Sequence, residues 1–268
     1  MNDELVNLDR DHPGFRDLAY RARRNAIASQ ANVHQPGRPV GDVAYTEQEH
    51  QVWAHVLEKL APLHQRYACR EFRECWPALA FPVDRVPQLG EASRTVAAKT
   101  RFTMEPVAGL VGPRAFMSAL GRRIFLATQY MRHHSMPLYT PEPDVIHELV
   151  GHAALLAHPG FAEVNRLFGV ATDAAGDDRI EALIRVYWYA LEFGAVKSAD
   201  GLQVVGAGLL SSFGELGRFE TAAMLRPFDV ADIAATPFDP TDYQKVIFVA
   251  ESTPALLDGL RRFLSTFL

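Results

Sequence analysis

Cysteine is nearly absent: the 268-residue chain has two, Cys69 and Cys75. Two thiols six positions apart make neither a disulfide framework nor a C-x-x-C pair, which favours a reducing compartment and hence the cytoplasm. Long apolar runs are missing too. No stretch approaches the roughly 20 apolar residues of a membrane span, and the opening MNDELVNLDRDHPGF is acidic, without the apolar centre of a signal peptide. Positive charge is scarce: 27 Lys and Arg stand against 32 Asp and Glu, a net charge of -5. The densest basic run, Tyr20 to Arg24, reads as a solvated helix face and not as a nucleic-acid surface. Neither a membrane nor a nucleic acid is therefore expected as a partner. No Gly/Ser-rich linker and no internal repeat divides the chain, so residues 1–268 are expected to form one domain, with 1–45 largely irregular apart from a short basic helix.

What the chain does have is helical periodicity. Thr46 and Glu49 form a T-x-x-E capping box, followed by an apolar stripe of Val52, Trp53, Val56, Leu57 and Leu60. Pro62 is expected to interrupt this helix, a second running on toward Trp76, with Pro77, Pro82 and Pro87 marking a loop. Another helix is predicted from Pro113, a favourable first-turn residue, and a long one from about Asp178 to Val196. Asp200-Gly201 looks like a hairpin turn between short strands, the second being Leu202 to Val205. The class expected is mainly α with small antiparallel β elements (α+β).

The stretch Thr140 to His152, TPEPDVIHELVGH, carries the first chemistry. Thr140 is a candidate N-cap, Pro141 and Pro143 suit a first turn, and Glu142 and Asp144 suit the positive end of a helix dipole. His147 and His152 resemble the zinc-protease pair H-E-x-x-H with one residue too many. On an α-helix an i, i+5 pair is about 140° apart, so one ion reaches both only if the helix distorts or ends between them, and Gly151 would permit that. His133, His134 and His158 read as ordinary structural histidines. Glu192, in YWYALEFG, falls within the buried stripe of the long helix one turn after Trp188. A carboxylate there is costly unless it is paired or holds a metal. Two histidines and a carboxylate make a facial triad, suited to Fe(II) with open coordination positions; zinc and hydrolysis, with Glu148 as base, remain open at this point. GAGLLS lacks the third glycine of a dinucleotide fingerprint.

Together, ATQYMRHHSMPLYTPEPDVIHELVGH, YWYALEFG and GAGLLSSFGE, in that order and spacing, closely resemble the tetrahydropterin-dependent aromatic amino acid hydroxylases. DHPGFRDLAYRARR near the start and VIFVAES near the end match the same family, so the resemblance covers nearly the whole chain. It implies that family's catalytic-domain fold built around Fe(II), with a reduced pterin and O2 as co-substrates and a free aromatic amino acid as substrate. His147, His152 and Glu192 would be the iron ligands. Arg132 would pair with the substrate carboxylate, held by Asp144. Thr140 and Ser211 would line the amino acid end, and Trp188, Phe193 and Gly208 the ring pocket. The pterin would lie over Phe116, bonded to backbone around Gly109 and Val111, with Glu148 near.

Trp188 marks, within the resemblance, a one-ring substrate: phenylalanine converted to tyrosine ranks first, with tyrosine, tryptophan (5-hydroxylation) or the meta position of phenylalanine behind. Asp239 and Asp242, in TPFDPTDYQ, leave ambiguous the alignment of an aspartate that tyrosine hydroxylases carry there. Leu126 stands where animal enzymes have histidine, and Ile184 where a small residue is often found. No stretch resembles the family's regulatory domain or its tetramerisation helix, so a monomer or weak dimer without substrate activation is expected.

Overall fold

The computed structural model describes residues 8–240 and 242–268. Its framework is helical, as the periodicity predicts. The capping box at Thr46 forms, Thr46 N–H donating to Glu49 Oε2 at 2.7 Å. The helix Glu47–Tyr67 then buries Val52, Trp53, Val56 and Leu60. The expected break at Pro62 does not occur, because this helix continues to Tyr67. A proline inside a helix forfeits one hydrogen bond at a cost of about 3 kcal/mol. Here burial of Trp53, Val56 and Leu60 before it and of His64 and Tyr67 after it keeps both sides on one axis. Pro77 likewise lies inside the helix Arg70–Ala78, and not in the loop expected there.

Strands are short, but the expectation that they pair antiparallel holds for one pairing only. β1 (Thr103–Pro106) and β2 (Ile124–Ala127) pair in parallel, joined through the helix Pro113–Gly121. A four-stranded sheet has the order β4-β3-β6-β5, built from β3 (Ala195–Ser198), β4 (Gly201–Val204), β5 (Met224–Pro227) and β6 (Val246–Ala250). Only β3 and β4 form the predicted hairpin; β3–β6 and β5–β6 are parallel. Parallel partners come from segments far apart in sequence, which no local turn signal announces. Among the described residues no helix is long and apolar enough to cross a membrane.

One contiguous apolar core runs from Val52 to Leu264. Its tightest helix contact is between Pro113–Gly121 and Pro159–Ala174, where a Cβ on Gly169 would stand 1.9 Å from the Gly121 backbone nitrogen. The first of these helices carries Phe116 into the pocket described below, so this contact fixes a pocket wall. Gly169→Ala is expected to cost roughly 3 kcal/mol by overpacking. An unchanged denaturant midpoint would show that the helices separate freely.

Candidate metal centre and its pocket

The residues His147–Ala153 form a π-helical turn, with hydrogen bonds running i→i+5. That wider turn brings residues five apart onto one face. The Nε2 atoms of His147 and His152 consequently lie 3.0 Å apart. Gly151 is not where the helix ends, as the spacing suggested. A Cβ on it would meet the Ala207 carbonyl oxygen at 2.6 Å, so glycine lets the helix Ala207–Ser211 pack against the turn. Nor is Thr140 the N-cap. The helical stretch starts at Val145, and Asp144 caps it by accepting the His147 N–H at 3.2 Å. Thr140 hydroxyl instead donates to the Glu142 carbonyl, across the bend that precedes the helix.

A second π-helical turn, Trp188–Glu192, follows the helix Asp177–Tyr187. The expected long helix therefore ends at Glu192, four residues early, and Val196 belongs to β3. This turn sets Glu192 Oε1 3.2 Å from His152 Nε2 and Oε2 3.6 Å from His147 Nε2. Two donors about 2.1 Å from one ion and at right angles would stand about 3.0 Å apart, so these separations suit a single ion. The hydrogen-bond chain behind the site agrees. Ser211 hydroxyl donates to the Ala207 carbonyl at 2.8 Å and is 3.0 Å from His147 Nδ1. With its one hydrogen so committed, Ser211 accepts from Nδ1–H, which leaves the His147 Nε2 lone pair facing the site.

The electrostatics of the cluster follow from burial. Burial, reinforced by the neighbouring His152, lowers His147 to about 4, so it is neutral at ordinary pH. Burial alone would raise Glu192, but the charge and hydrogen bond of His152 outweigh it and hold the carboxyl below its ordinary value. A second carboxylate competes for the third place. Glu148 lies on the same turn, with a carboxylate oxygen within 4.8 Å of ligand nitrogens of both histidines. Burial pushes it up to about 7. Its Oε1 is engaged elsewhere, accepting the Thr128 N–H at 3.0 Å and the Thr128 hydroxyl at 2.8 Å. Each Glu192 oxygen, by contrast, faces one histidine nitrogen.

The pocket over this cluster encloses about 520 Å³. At one end stands Arg132. Its Nε donates to Asp144 Oδ2 at 2.9 Å and its Nη2 to Oδ1 at 2.8 Å, and Nη1 reaches the Pro137 carbonyl at 3.4 Å. Those are three of the five N–H groups of a guanidinium. Glu142, in the same rim, is held from outside by Arg24 and by His12. Part of the lining is aromatic. Trp188 packs between Phe193 at 4.7 Å and Phe238 at 4.3 Å, the latter stacked within 15°. Gly208 makes room for Phe193, whose ring a Cβ there would meet at 2.5 Å. Phe116 lines the pocket edge-on to Phe125 and Tyr187, near Gly109 and Val111. Leu126 and Ile184 also face it.

All fourteen candidate residues named from the sequence lie on this one cavity or, for Asp144, directly behind it. Sequence reasoning missed Phe238, which lines the pocket, and Gln244, which bonds its Trp188, because their only signal is a place in TPFDPTDYQ beside Asp239 and Asp242. His133 and His158 have local partners, Asp17 and Ser135 for the first and the Gly160 N–H for the second.

Comparison with known proteins gives the same answer as the geometry. Residues 2–268 match the family described as biopterin-dependent aromatic amino acid hydroxylase. Phenylalanine-4-hydroxylase of Rattus norvegicus is 41% identical over 266 residues, covering 97% of this chain and 59% of the rat protein. Tyrosine 3-monooxygenase of Mus musculus is 42% identical over 264 residues, covering 97% of this chain and 53% of its own length. The structure of Chromobacterium violaceum phenylalanine hydroxylase with bound oxidised Fe(III) superposes with a TM-score of 0.80 at 29% identity, covering 90% of this chain and 91% of that one. With the sequence match spanning the described fold and both π-helical turns, the chain belongs to the biopterin-dependent aromatic amino acid hydroxylases.

Proposed function

We propose that this protein is an Fe(II)- and tetrahydropterin-dependent monooxygenase that hydroxylates the ring of free L-phenylalanine to give L-tyrosine. One observation carries the reading: His147, His152 and Glu192 converge on a cavity whose lining also holds the Arg132 guanidinium and the aromatic rings of Trp188, Phe193 and Phe238. The His147, His152 and Glu192 donors would hold the iron as a facial triad. Iron and reduced pterin together supply the electrons needed to activate O2.

The chain's own residues do the positioning. Arg132 receives the substrate carboxylate on the N–H groups that Asp144 and Pro137 leave free, a charge-assisted contact of the fork type. Thr140 and Ser211 border that end. Trp188 and Phe193 orient the ring, and their apolar faces exclude water from the reacting side. Phe116 offers a face for the pterin, with Gly109 and Val111 supplying backbone and Glu148 standing between that region and the histidines. Ser211 keeps His147 in the tautomer that can bind metal.

Overall identity does not choose the substrate, since the phenylalanine and tyrosine enzymes above are equally similar. The aromatic wall supports phenylalanine. Trp188, Phe193 and Phe238 offer no partner to a phenol, which favours the amino acid without a ring hydroxyl. Asp242 reaches the cavity but is engaged by Lys245 at 3.3 Å and by the Tyr243 N–H at 2.8 Å. The free thiols Cys69 and Cys75 suit a reducing compartment, and the proposal places the enzyme in the cytoplasm as a monomer or weak dimer; a tetramer by light scattering would overturn the assembly.

Two measurements test the reading. Iron-loaded protein given reduced pterin, O2 and a mixture of phenylalanine, tyrosine and tryptophan should yield para-tyrosine as the main product by mass-detected chromatography. Dihydroxyphenylalanine, 5-hydroxytryptophan or meta-tyrosine would reject the substrate assignment. Glu192→Gln should weaken iron binding by more than about tenfold, while Glu148→Gln keeps iron at the wild-type stoichiometry. The opposite pattern would make Glu148 the ligand.

A further inference from the structure

A second cavity of about 300 Å³ adjoins the pocket, and Glu215, Asp242 and Tyr243 line both cavities. These side chains thus form a partition with open space on both faces. Packing alone holds such a wall poorly, because atoms beside a void lose their dispersion partners. Hydrogen bonds must do more of the work, and they converge on one buried residue.

Gln244 accepts the Trp188 indole N–H on Oε1 at 2.9 Å. Its Nε2 donates to the Asp239 carbonyl at 3.2 Å and to the Asp242 carbonyl at 3.1 Å. Its backbone N–H donates to Glu215 Oε1 at 2.9 Å. The amide can face only one way. Reversed, it would set an NH2 group against the indole N–H and an oxygen against two carbonyls. One planar group therefore joins the indole of the ring wall to the partition beside it and sets both together.

We propose that Gln244 is a positioning residue for the ring end of the amino acid substrate, fixing the Trp188 indole and the partition through one amide. The inference rests on the functional reading above and goes beyond it by assigning ring-side selectivity to a residue that faces the second cavity. A glutamine of this kind touches neither iron ligands nor the Arg132 fork, so its loss should act on the amino acid and spare the pterin.

The test uses full-length Gln244→Leu, which keeps the volume and removes all three side-chain bonds, and Gln244→Glu, which keeps the acceptor for the indole and loses both donors. The Trp188 indole N–H band is read by ultraviolet resonance Raman, with Trp188→Phe assigning it. In Gln244→Leu the band should move to the position of an unbonded indole. The KM for phenylalanine should rise about tenfold, while the pterin KM stays within about twofold. In Gln244→Glu the band should stay on the hydrogen-bonded side, because a carboxylate still accepts from the indole, and the phenylalanine KM still rise. Should Gln244→Leu fail to fold, Gln244→Glu decides by that KM. An unshifted band in Gln244→Leu, or equal rises in both KM values, would overturn the proposal. Wild-type protein that makes no hydroxylated product sinks the functional reading, and the band shift then decides the link. A productive wild type with unchanged phenylalanine KM in both variants sinks this inference alone.

Discussion

The Asp144 carboxylate is fully buried and accepts four hydrogen bonds: the backbone N–H and two guanidinium N–H groups of Arg132, and the backbone N–H of His147. Burial by itself would raise its pKa, but the Arg132 charge and these bonds hold it below the ordinary carboxylate value. Losing one partner of such a pair leaves the other charge stranded, at a cost of about 3–5 kcal/mol. The placement matters more than the energy. The same group caps the turn that carries both histidines and aims the guanidinium at the other end of the pocket. The Arg132 guanidinium and the histidine pair are therefore held at a fixed spacing by a single side chain.

The supports around it are of different kinds. On the histidine side the Ala207–Ser211 helix can press against the π-helical turn because residue 151 has no side chain, and its last residue sets the His147 tautomer. On the arginine side the rim is gripped from the N-terminal helix Leu18–Asn32, where Arg24 lies over the Tyr130 ring at 3.6 Å and pairs with Glu142. The basic run Tyr20 to Arg24, expected to be a solvated face, thus sends Arg24 inward to brace the pocket rim.

Much of this was legible in the residues, for reasons that can be stated. The helix from Thr46 and the one from Pro113 announce themselves because their caps are local and their stripes regular. Glu192 stood out because a carboxylate within an apolar stripe has to be compensated. What escaped depends on distant contacts. Pro62 was overridden by burial on both sides, and parallel pairing of β3, β5 and β6 leaves no turn signature. On an α-helix the i, i+5 histidine spacing disfavours a zinc protease and lets one ion reach both residues only through a distortion. The π-helical turn removes that objection, so spacing never separated a hydroxylase from a zinc hydrolase. The orientation of Glu148 toward Thr128 separates them better, since a hydrolytic base would need to face the ion.

A π-helical turn is an α-helix that has taken in one extra residue. In HELVGH the guarded quantity is consequently the number of residues more than their identity. Leu149 and Val150 lie in the core and can be exchanged for other apolar side chains of similar volume at modest cost. Removing any one residue between the histidines would wind the segment back to α geometry and leave them i, i+4, close to the protease arrangement. Because the deletion removes the residue that the wider turn had taken in, the helix beyond it would keep nearly the same orientation, and Ala154–Leu156 would still face the core. This scaffold and a protease-like metal helix are therefore separated by the length of one turn, with the surrounding packing common to both.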